Sequence, residues 1–314
     1  MHAQRIIEIA EDGRFLGVER GFLIIKNQGL EIGKIPLSDI AAVVCTSNWS
    51  VLSTSAISAL SAEAIPLVVC DKVQKYPKCI TLPLVSNYRQ SDIMQAQSEA
   101  SLPLRKSLWR DMVKAKILQQ SEILKFFDKI DDSQKLYSIS AIIKSGDSEN
   151  CEARCAAIYW KALMGEHFKR DREREDANVL LNYAYTIERA AMVRAIVSAG
   201  LHPSLGIHHK SSTNTMRLAD DLMEVFRPLA DLEVKNISLE TGGNELTVSN
   251  KKRLVNVINR RIFAGESFTS VQTMMHRLSK SLAQVYLKER EGLDISIVRS
   301  KYLKMNQCGL ADID

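Results

Sequence analysis

The most constraining feature of this sequence is a change in its hydrophobic period near residue 100. Residues 5–85 form short apolar segments rich in Ile, Val and Phe, separated by turn signals that include Asp12-Gly13, Glu19-Arg20-Gly21 and Asn27-Gln28-Gly29. From Leu104 onward, apolar residues recur at helical spacing. The pattern predicts an α+β fold, with a small β-rich N-terminal domain followed by a larger all-α C-terminal domain.

The segment between the two halves is polar and rich in Gln and Ser, as in many linkers. We therefore predict a β-rich domain over residues 1–87, a linker over 88–103 and a helical catalytic domain over 104–314. Within the first half, residues 52–64 predict a helix, because Ile57 and Leu60 share one face. The β-rich domain lacks clustered ligands, so we expect it to serve dimerisation rather than chemistry.

Charge and hydropathy exclude a membrane protein and leave the partner open. The 42 basic and 37 acidic residues give a formal net charge of +5. This mild excess permits a polyanionic partner without requiring one. Every apolar run is far shorter than the roughly 20 residues of a membrane span.

Cysteine usage favours a reducing compartment. The start of the chain has no signal-peptide pattern, so we expect a reduced cytoplasmic protein. Cys151 and Cys155 lie four residues apart, but no second pair has zinc-ribbon spacing, which favours core thiols over a zinc site. The six cysteines are Cys45, Cys70, Cys79, Cys151, Cys155 and Cys308.

The clearest predicted helix covers residues 178–199 and ends at Gly200. Asn178, Asn182, Arg189 and Arg194 lie on or near its apolar body. Polar groups on a buried helix are usually hydrogen-bonded to their surroundings, so structural bracing and substrate contact are both open for these residues. A later helix, predicted over residues 270–291, carries Arg277 on a basic face that could border a polyanion.

Residues 200–228 hold the densest group of metal-ligating side chains. His208 and His209 precede a helix predicted over residues 214–227, in which Asp220 and Asp221 can each share a face with Glu224. One imidazole and two carboxylates suit Mg²⁺ or Mn²⁺ better than zinc. A remote carboxylate from another helix would complete such a set, which could orient a hydroxyl nucleophile against a phosphodiester.

A further carboxylate, Glu152, lies in the first turn of a helix that Ser148 or Asn150 could cap. Its neighbours are small, so another helix or a substrate could approach it closely. The alternative is a surface glutamate stabilised by the helix dipole.

Taken together, these segments resemble the CRISPR-associated Cas1 integrase family, in its type II form, over nearly the whole chain. Four segments carry the resemblance: E-A-R-C-A-A-I-Y-W from Glu152, N-V-L-L-N-Y-A-Y from Asn178, G-L-H-P-S-L-G-I-H-H from Gly200 and L-A-D-D-L-M-E-V-F-R-P from Leu218.

The resemblance implies a catalytic metal site. Glu152, His209 and Glu224 would be its catalytic, metal-binding residues, and the metal would be Mg²⁺ or Mn²⁺. Asp221 would be a supporting acidic residue of the same site. Because two histidines are adjacent, His208 is the second choice for the imidazole.

The resemblance also implies partners and a reaction. The chain would form a homodimer, pair with a Cas2 dimer and carry double-stranded prospacer DNA, with Cas9 and other type II adaptation proteins as further partners. The 3′-hydroxyl ends of this DNA would attack the CRISPR repeat by transesterification during spacer acquisition, and water in their place would give endonuclease activity. Arg189, Arg194 and Arg277 would hold phosphates, in contacts that carry no sequence information.

Two rival functions fit the same residues. One is a metal-dependent nuclease without an integration role. The other is a DNA-binding or scaffolding subunit in which the acidic helix is only capped and solvated.

Overall fold

The computed structural model describes residues 5–70, 77–81, 87–264 and 267–307. Those residues form ten strands: β1 (Arg5–Ile9), β2 (Arg14–Glu19), β3 (Phe22–Asn27), β4 (Leu30–Pro36), β5 (Ile40–Cys45), β6 (Ser50–Leu52), β7 (Leu67–Cys70), β8 (Pro77–Ile80), β9 (Arg261–Ala264) and β10 (Ser267–Ser270). The last of the apolar segments predicted before residue 85 lies partly outside the described residues, and Cys308 lies entirely outside them.

The same residues contain eleven α-helices. These are α1 (Thr54–Ala62), α2 (Gln90–Ser98), α3 (Leu102–Phe126), α4 (Ile130–Ser140), α5 (Cys151–Met164), α6 (Ala177–Ser198), α7 (Arg217–Met223), α8 (Arg227–Thr241), α9 (Val248–Asn256), α10 (Val271–Tyr286) and α11 (Ser300–Gln307). Strands dominate the first part and helices the second, so the predicted α+β class is confirmed. No helix in the described ranges has both the length and the apolar character that crossing a membrane requires.

The N-terminal strands form two four-stranded sheets, in the orders β1-β5-β7-β8 and β4-β3-β2-β6. The β2–β3 and β3–β4 hairpins turn at Arg20-Gly21 and Gln28-Gly29, where both residues of each pair have positive φ, as a two-residue type I′ turn requires. These are the positions of the turn signals. The helix predicted over residues 52–64 forms as α1, and Ser53 caps it by accepting from the Ala56 amide.

The helical domain is built around α6, which is buried along most of its length and packs against α7, α8 and α10. This element confirms the helix predicted over residues 178–199. The buried Cys151 and Cys155 are core thiols, as predicted.

Two features were not foreseen. Within the predicted linker 88–103, the helix α2 forms and buries Ile93 and Gln97, one turn apart. The second half is also not entirely α-helical, because β9 and β10 form an antiparallel hairpin in which Ile262 and Ala264 are buried. This alternation has the period of a strand, and the preceding helix α9 ends at Asn256.

Polar contacts join the two halves. Glu8 on β1 accepts from the Tyr183 hydroxyl on α6 at 3.0 Å and from Lys251 Nζ on α9 at 2.9 Å. Arg194 on α6 donates to the carbonyls of Ile40 and Ala41 on β5, at 3.3 and 3.5 Å. The sheet that contains β1 and β5 is thereby fixed against the central helix of the second domain.

The charged segment before α6 is held by that helix. Arg170 donates to the side-chain oxygens of Asn178 and Asn182, at 2.7 and 2.8 Å. Asn178 and Asn182 in turn donate to the backbone carbonyls of Lys169 and Arg172. For both asparagines, the structure therefore shows bracing of a loop.

Candidate active site

Glu152 is placed by the start of α5. The carboxylate of Asp147 accepts from the amides of Cys151 and Glu152 at 2.8 and 3.0 Å, so it satisfies two of the amides that a helix N-terminus leaves without partners. Asp147 thus takes the capping role predicted for Ser148 or Asn150, and Asn150 adopts a left-handed backbone conformation without a side-chain cap. Glu152 consequently lies in the first turn, and its side chain is partly buried.

Glu224 lies where two helices meet. The helix predicted over residues 214–227 is in fact interrupted, because α7 ends at Met223 and α8 begins at Arg227 with Pro228 in its first turn. Proline lacks the amide that a continuous helix would need and is well tolerated at a helix start. The Glu224 side chain is only 6% exposed, and its Oε1 lies 2.5 Å from a guanidinium nitrogen of Arg227.

Lys116 on α3 connects the two glutamates. Its Nζ donates to Glu152 Oε1 at 2.6 Å and lies 2.6 Å from Glu224 Oε2, an ion pair without hydrogen-bond geometry. Burial lowers the pKa of this ammonium, but the charges of Glu224 and Glu152 outweigh that effect and raise the pKa above its usual value. Burial likewise raises the pKa of Glu224, but Arg227 and Lys116 outweigh it, so the net shift is downward and Glu224 stays ionised.

Lys116 is not among the residues predicted for the site. Its charge interrupts a stretch of α3 in which Ala115 and Ile117 are both buried. Because lysine is seldom buried unless it is paired, a lysine in such surroundings is a signal for nearby carboxylates.

His209 and Asp221 form a second pair. Asp221 is completely buried, and its Oδ1 lies 2.5 Å from His209 Nδ1. The same carboxylate accepts from the backbone amides of Ile207, His208 and His209, at 2.6, 3.0 and 3.2 Å. Asp221 therefore fixes both the loop and the imidazole. Since Nδ1 is bound to Asp221, Nε2 is the nitrogen with which His209 can bind a metal ion.

The hydrogen bond with Asp221 raises the pKa of His209, burial opposes the rise, and the charge of Glu224 adds to it.

Close packing of the loop on α7 depends on Gly206. A Cβ atom at this position would lie 3.0 Å from Asp221 Oδ2 and 2.9 Å from Arg217 Cβ. Only glycine lets the loop approach Asp221 this closely.

His208 has a different environment. Its ring stacks on Trp109 of α3, with a centroid separation of 4.2 Å and an interplanar angle of 4°. Among the described residues, no carboxylate pairs with the His208 ring, whereas the His209 ring pairs with Asp221. This arrangement favours His209 over His208 as the metal ligand.

The donor set fits a hard divalent cation. Carboxylate oxygens of Glu152 and Glu224 already converge on one cationic nitrogen, and the charge of Glu224 acts on the imidazole of His209, which Asp221 orients. In the part of the chain that the structure describes, no group of three His, Cys, Asp or Glu side chains is arranged so that it could hold a metal ion. Because Lys116 lies between the two glutamates, a metal ion would have to replace its ammonium.

The three arginines predicted to bind DNA have protein partners. Arg189 is 8% exposed and pairs with Asp220. Arg194 bonds to the N-terminal domain, as described above. Arg277 is about half exposed and pairs with Asp294 at 3.1 Å. Contact with DNA stays a prediction for all three, and only Arg277 is substantially accessible.

Comparison with known proteins identifies the family. Residues 7–238 match the family described as CRISPR associated protein Cas1. The CRISPR-associated endonuclease Cas1 of Neisseria meningitidis is 35% identical over 257 residues, which cover 81% of this chain and 83% of the relative. A Cas1 endonuclease of Francisella tularensis subsp. novicida is 27% identical over 246 residues, which cover 70% of this chain and 74% of the relative.

Solved structures share the fold. A casposase bound to its integration product superposes with a TM-score of 0.79 at 19% identity, covering 99% of this chain and all of the casposase chain. The Cas1 protein of Thermotoga maritima gives a TM-score of 0.72 at 14% identity, covering 92% of this chain and 98% of that one. The family match and the Neisseria relative establish that the chain belongs to the CRISPR-associated Cas1 family.

Proposed function

We propose that this protein is a divalent-metal-dependent DNA integrase with endonuclease activity. It joins the 3′-hydroxyl ends of prospacer DNA to the CRISPR repeat by transesterification, the step that inserts a spacer in antiviral defence. The observation that carries the proposal is the convergence of Glu152 and Glu224 on one cation, together with the electrostatic interaction between Glu224 and the His209 imidazole that Asp221 orients. Family membership and the structural similarity to a casposase bound to its integration product support it.

Glu152, Glu224 and His209 Nε2 would hold Mg²⁺ or Mn²⁺. When bound, the metal would supply positive charge to the phosphodiester under attack and to the attacking oxygen. Arg227 keeps Glu224 ionised, and Asp221 keeps the His209 ring in one tautomer and orientation. The fixed side chains therefore present their ligand atoms without rearrangement of the loop.

The reaction balances without an energy cofactor. The oxygen of the prospacer 3′-hydroxyl bonds to phosphorus in the repeat, and the bond from that phosphorus to the 3′-oxygen of the neighbouring nucleotide breaks. One phosphodiester replaces another, and the proton of the attacking hydroxyl is balanced by protonation of the leaving oxygen. Water as the nucleophile would give strand cleavage at the same site.

A homodimer and a Cas2 dimer are the proposed partners. Large apolar side chains are exposed on or beside the two edge strands of one N-terminal sheet: Leu30, Ile32, Trp49 and Val51. A second copy of the chain could cover them. Finding only monomers by sedimentation at micromolar concentration would refute this arrangement.

The Cas2 partnership is supported by fold similarity, with a TM-score of 0.73, to a Cas6-RT-Cas1–Cas2 complex. The Neisseria relative supports the type II form, and Cas9 and other type II adaptation proteins are proposed as further partners from the initial resemblance alone.

The test is a strand-joining assay. Purified protein and its Cas2 partner are incubated with labelled prospacer DNA, a repeat plasmid and Mn²⁺. We expect label to be joined to the plasmid with 3′-hydroxyl ends and not with matched 3′-dideoxy ends, which lack the nucleophile. Cleavage without joining would support the nuclease instead, and DNA binding without either reaction would support the scaffold.

A further inference from the structure

The carboxylate of Asp231 is buried in the helical domain and has no role in the site described above. Asp231 on α8 is 1% exposed. Its two oxygens accept from the hydroxyls of Tyr159 on α5 and Tyr185 on α6, at 3.0 and 2.5 Å. Burial raises the pKa of Asp231 to about 7, although the two tyrosine hydroxyls oppose the rise. Three helices thus meet at one carboxyl group.

This cluster is connected to Glu224 through Arg227. The guanidinium carbon of Arg227 lies 4.9 Å from the centre of the Tyr185 ring, within the range of a cation–π contact. One of its nitrogens lies 2.5 Å from Glu224 Oε1. Arg227 and Asp231 are four residues apart on α8 and therefore share a face. The same guanidinium thus contacts both the tyrosine ring and the proposed metal ligand.

Other charges around Tyr185 favour this arrangement. The guanidinium carbon of Arg170 lies 5.3 Å from the centre of the same ring, so two guanidinium groups contact the ring. Glu188, one turn further along α6, is buried, and burial raises its pKa well above the usual value. Its oxygens accept no hydrogen bond from any described residue. The ion pair of Arg227 is accordingly made with Glu224 and not with Glu188.

Bracing of the three helices would be a simpler role for the cluster. Apolar side chains of similar size could join the same helices without burying a carboxyl group. Replacing buried charged groups by such side chains is often neutral or stabilising. Ionisable groups in unusual surroundings are enriched at functional sites. This cluster differs from an ordinary core contact because its Tyr185 ring contacts Arg227, and Arg227 pairs with the proposed ligand Glu224.

We infer that Tyr185 and Asp231 are positioning residues for the metal ligand Glu224. Asp231 fixes the Tyr185 ring, the ring holds the Arg227 guanidinium, and Arg227 fixes Glu224 Oε1. The other oxygen, Oε2, is thereby directed toward Lys116 and Glu152. This inference rests on the proposed function, because it assigns Glu224 to the metal.

The test compares conservative variants by two measurements. Tyr185→Phe keeps the ring but removes its bond to Asp231, and Asp231→Asn keeps the shape of the side chain. Tyr183→Phe is the matched control, because it removes a tyrosine–carboxylate bond, to Glu8, from the same helix. Mn²⁺ affinity is measured from the electron paramagnetic resonance signal of free Mn²⁺, with unreactive 3′-dideoxy DNA present, and melting temperature is measured alongside.

We expect Tyr185→Phe and Asp231→Asn to weaken Mn²⁺ binding about tenfold, the low end for residues that orient a metal ligand. Tyr183→Phe should bind like the wild type at a similar melting temperature. Wild-type affinity in Tyr185→Phe, or equal weakening in Tyr183→Phe, would overturn the inference. If Asp231→Asn does not fold, Tyr185→Phe still decides. A wild-type protein that neither binds Mn²⁺ nor joins strands would instead refute the proposed function.

Discussion

Alanine in place of Glu152 or Glu224 is expected to reduce Mn²⁺-dependent strand joining by at least about 1000-fold, which corresponds to roughly 4 kcal/mol of transition-state stabilisation. Each carboxylate supplies negative charge at the point where both approach the same cation. Loss of either would leave the metal with too few protein ligands to hold the phosphodiester in place. His209→Ala should have an effect of at least about 100-fold, because it removes the only neutral ligand proposed for the site.

Matched controls come from nearby residues of the same type. Glu149→Ala removes an exposed glutamate three residues before Glu152. Glu149 forms an ion pair with Lys144 and not with a residue of the proposed site. His167→Ala removes an exposed histidine of the loop before α6. Both should join strands at the wild-type rate. Unchanged joining in folded Glu152→Ala and Glu224→Ala would refute the proposed ligands.

Lys116→Met is expected to make the stability of the protein depend on metal. In a chelating buffer, the variant should lose about 3 kcal/mol of folding free energy, because Glu152 and the buried Glu224 would face each other without the shared ammonium. For a domain of this size, that loss lowers the melting temperature by roughly 6–12 °C. Mn²⁺ should restore most of it by supplying the missing positive charge.

The wild type should respond less to Mn²⁺, because there the metal must first displace the Lys116 ammonium. Lys114→Met is the matched control, since Lys114 is exposed on the same helix. Differential scanning fluorimetry with and without Mn²⁺ measures both effects. Equal Mn²⁺ responses in Lys116→Met, Lys114→Met and the wild type would show that the ammonium and the metal do not share a position.

Local patterns predicted those elements whose signals lie within a few residues. The turns at Arg20-Gly21 and Gln28-Gly29 require positive φ, and the long α6 has a strong apolar period. The break between α7 and α8 was also readable from Pro228, although the helix was predicted to continue to Arg227. The hairpin of β9 and β10 was missed, because the alternation of two buried residues in four is too short to override the preceding helical period.

The site depends on contacts between residues that are distant in the chain. The family resemblance singled out Glu152, His209 and Glu224, but their spacing says nothing about Lys116, which lies 36 residues before Glu152. The role of Asp221 in fixing the His209 ring likewise becomes visible only when the loop folds back on α7. Partners of this kind are set by packing, and periodicity carries no information about them.

The most direct measurement of the central claim is the anomalous scattering of Mn²⁺ in a crystal of the protein with unreactive 3′-dideoxy DNA. We predict a single strong peak in contact with carboxylate oxygens of Glu152 and Glu224 and with Nε2 of His209, and displacement of the Lys116 ammonium from its position between the glutamates. A peak bound elsewhere, or none at a Mn²⁺ concentration that supports strand joining, would contradict the account.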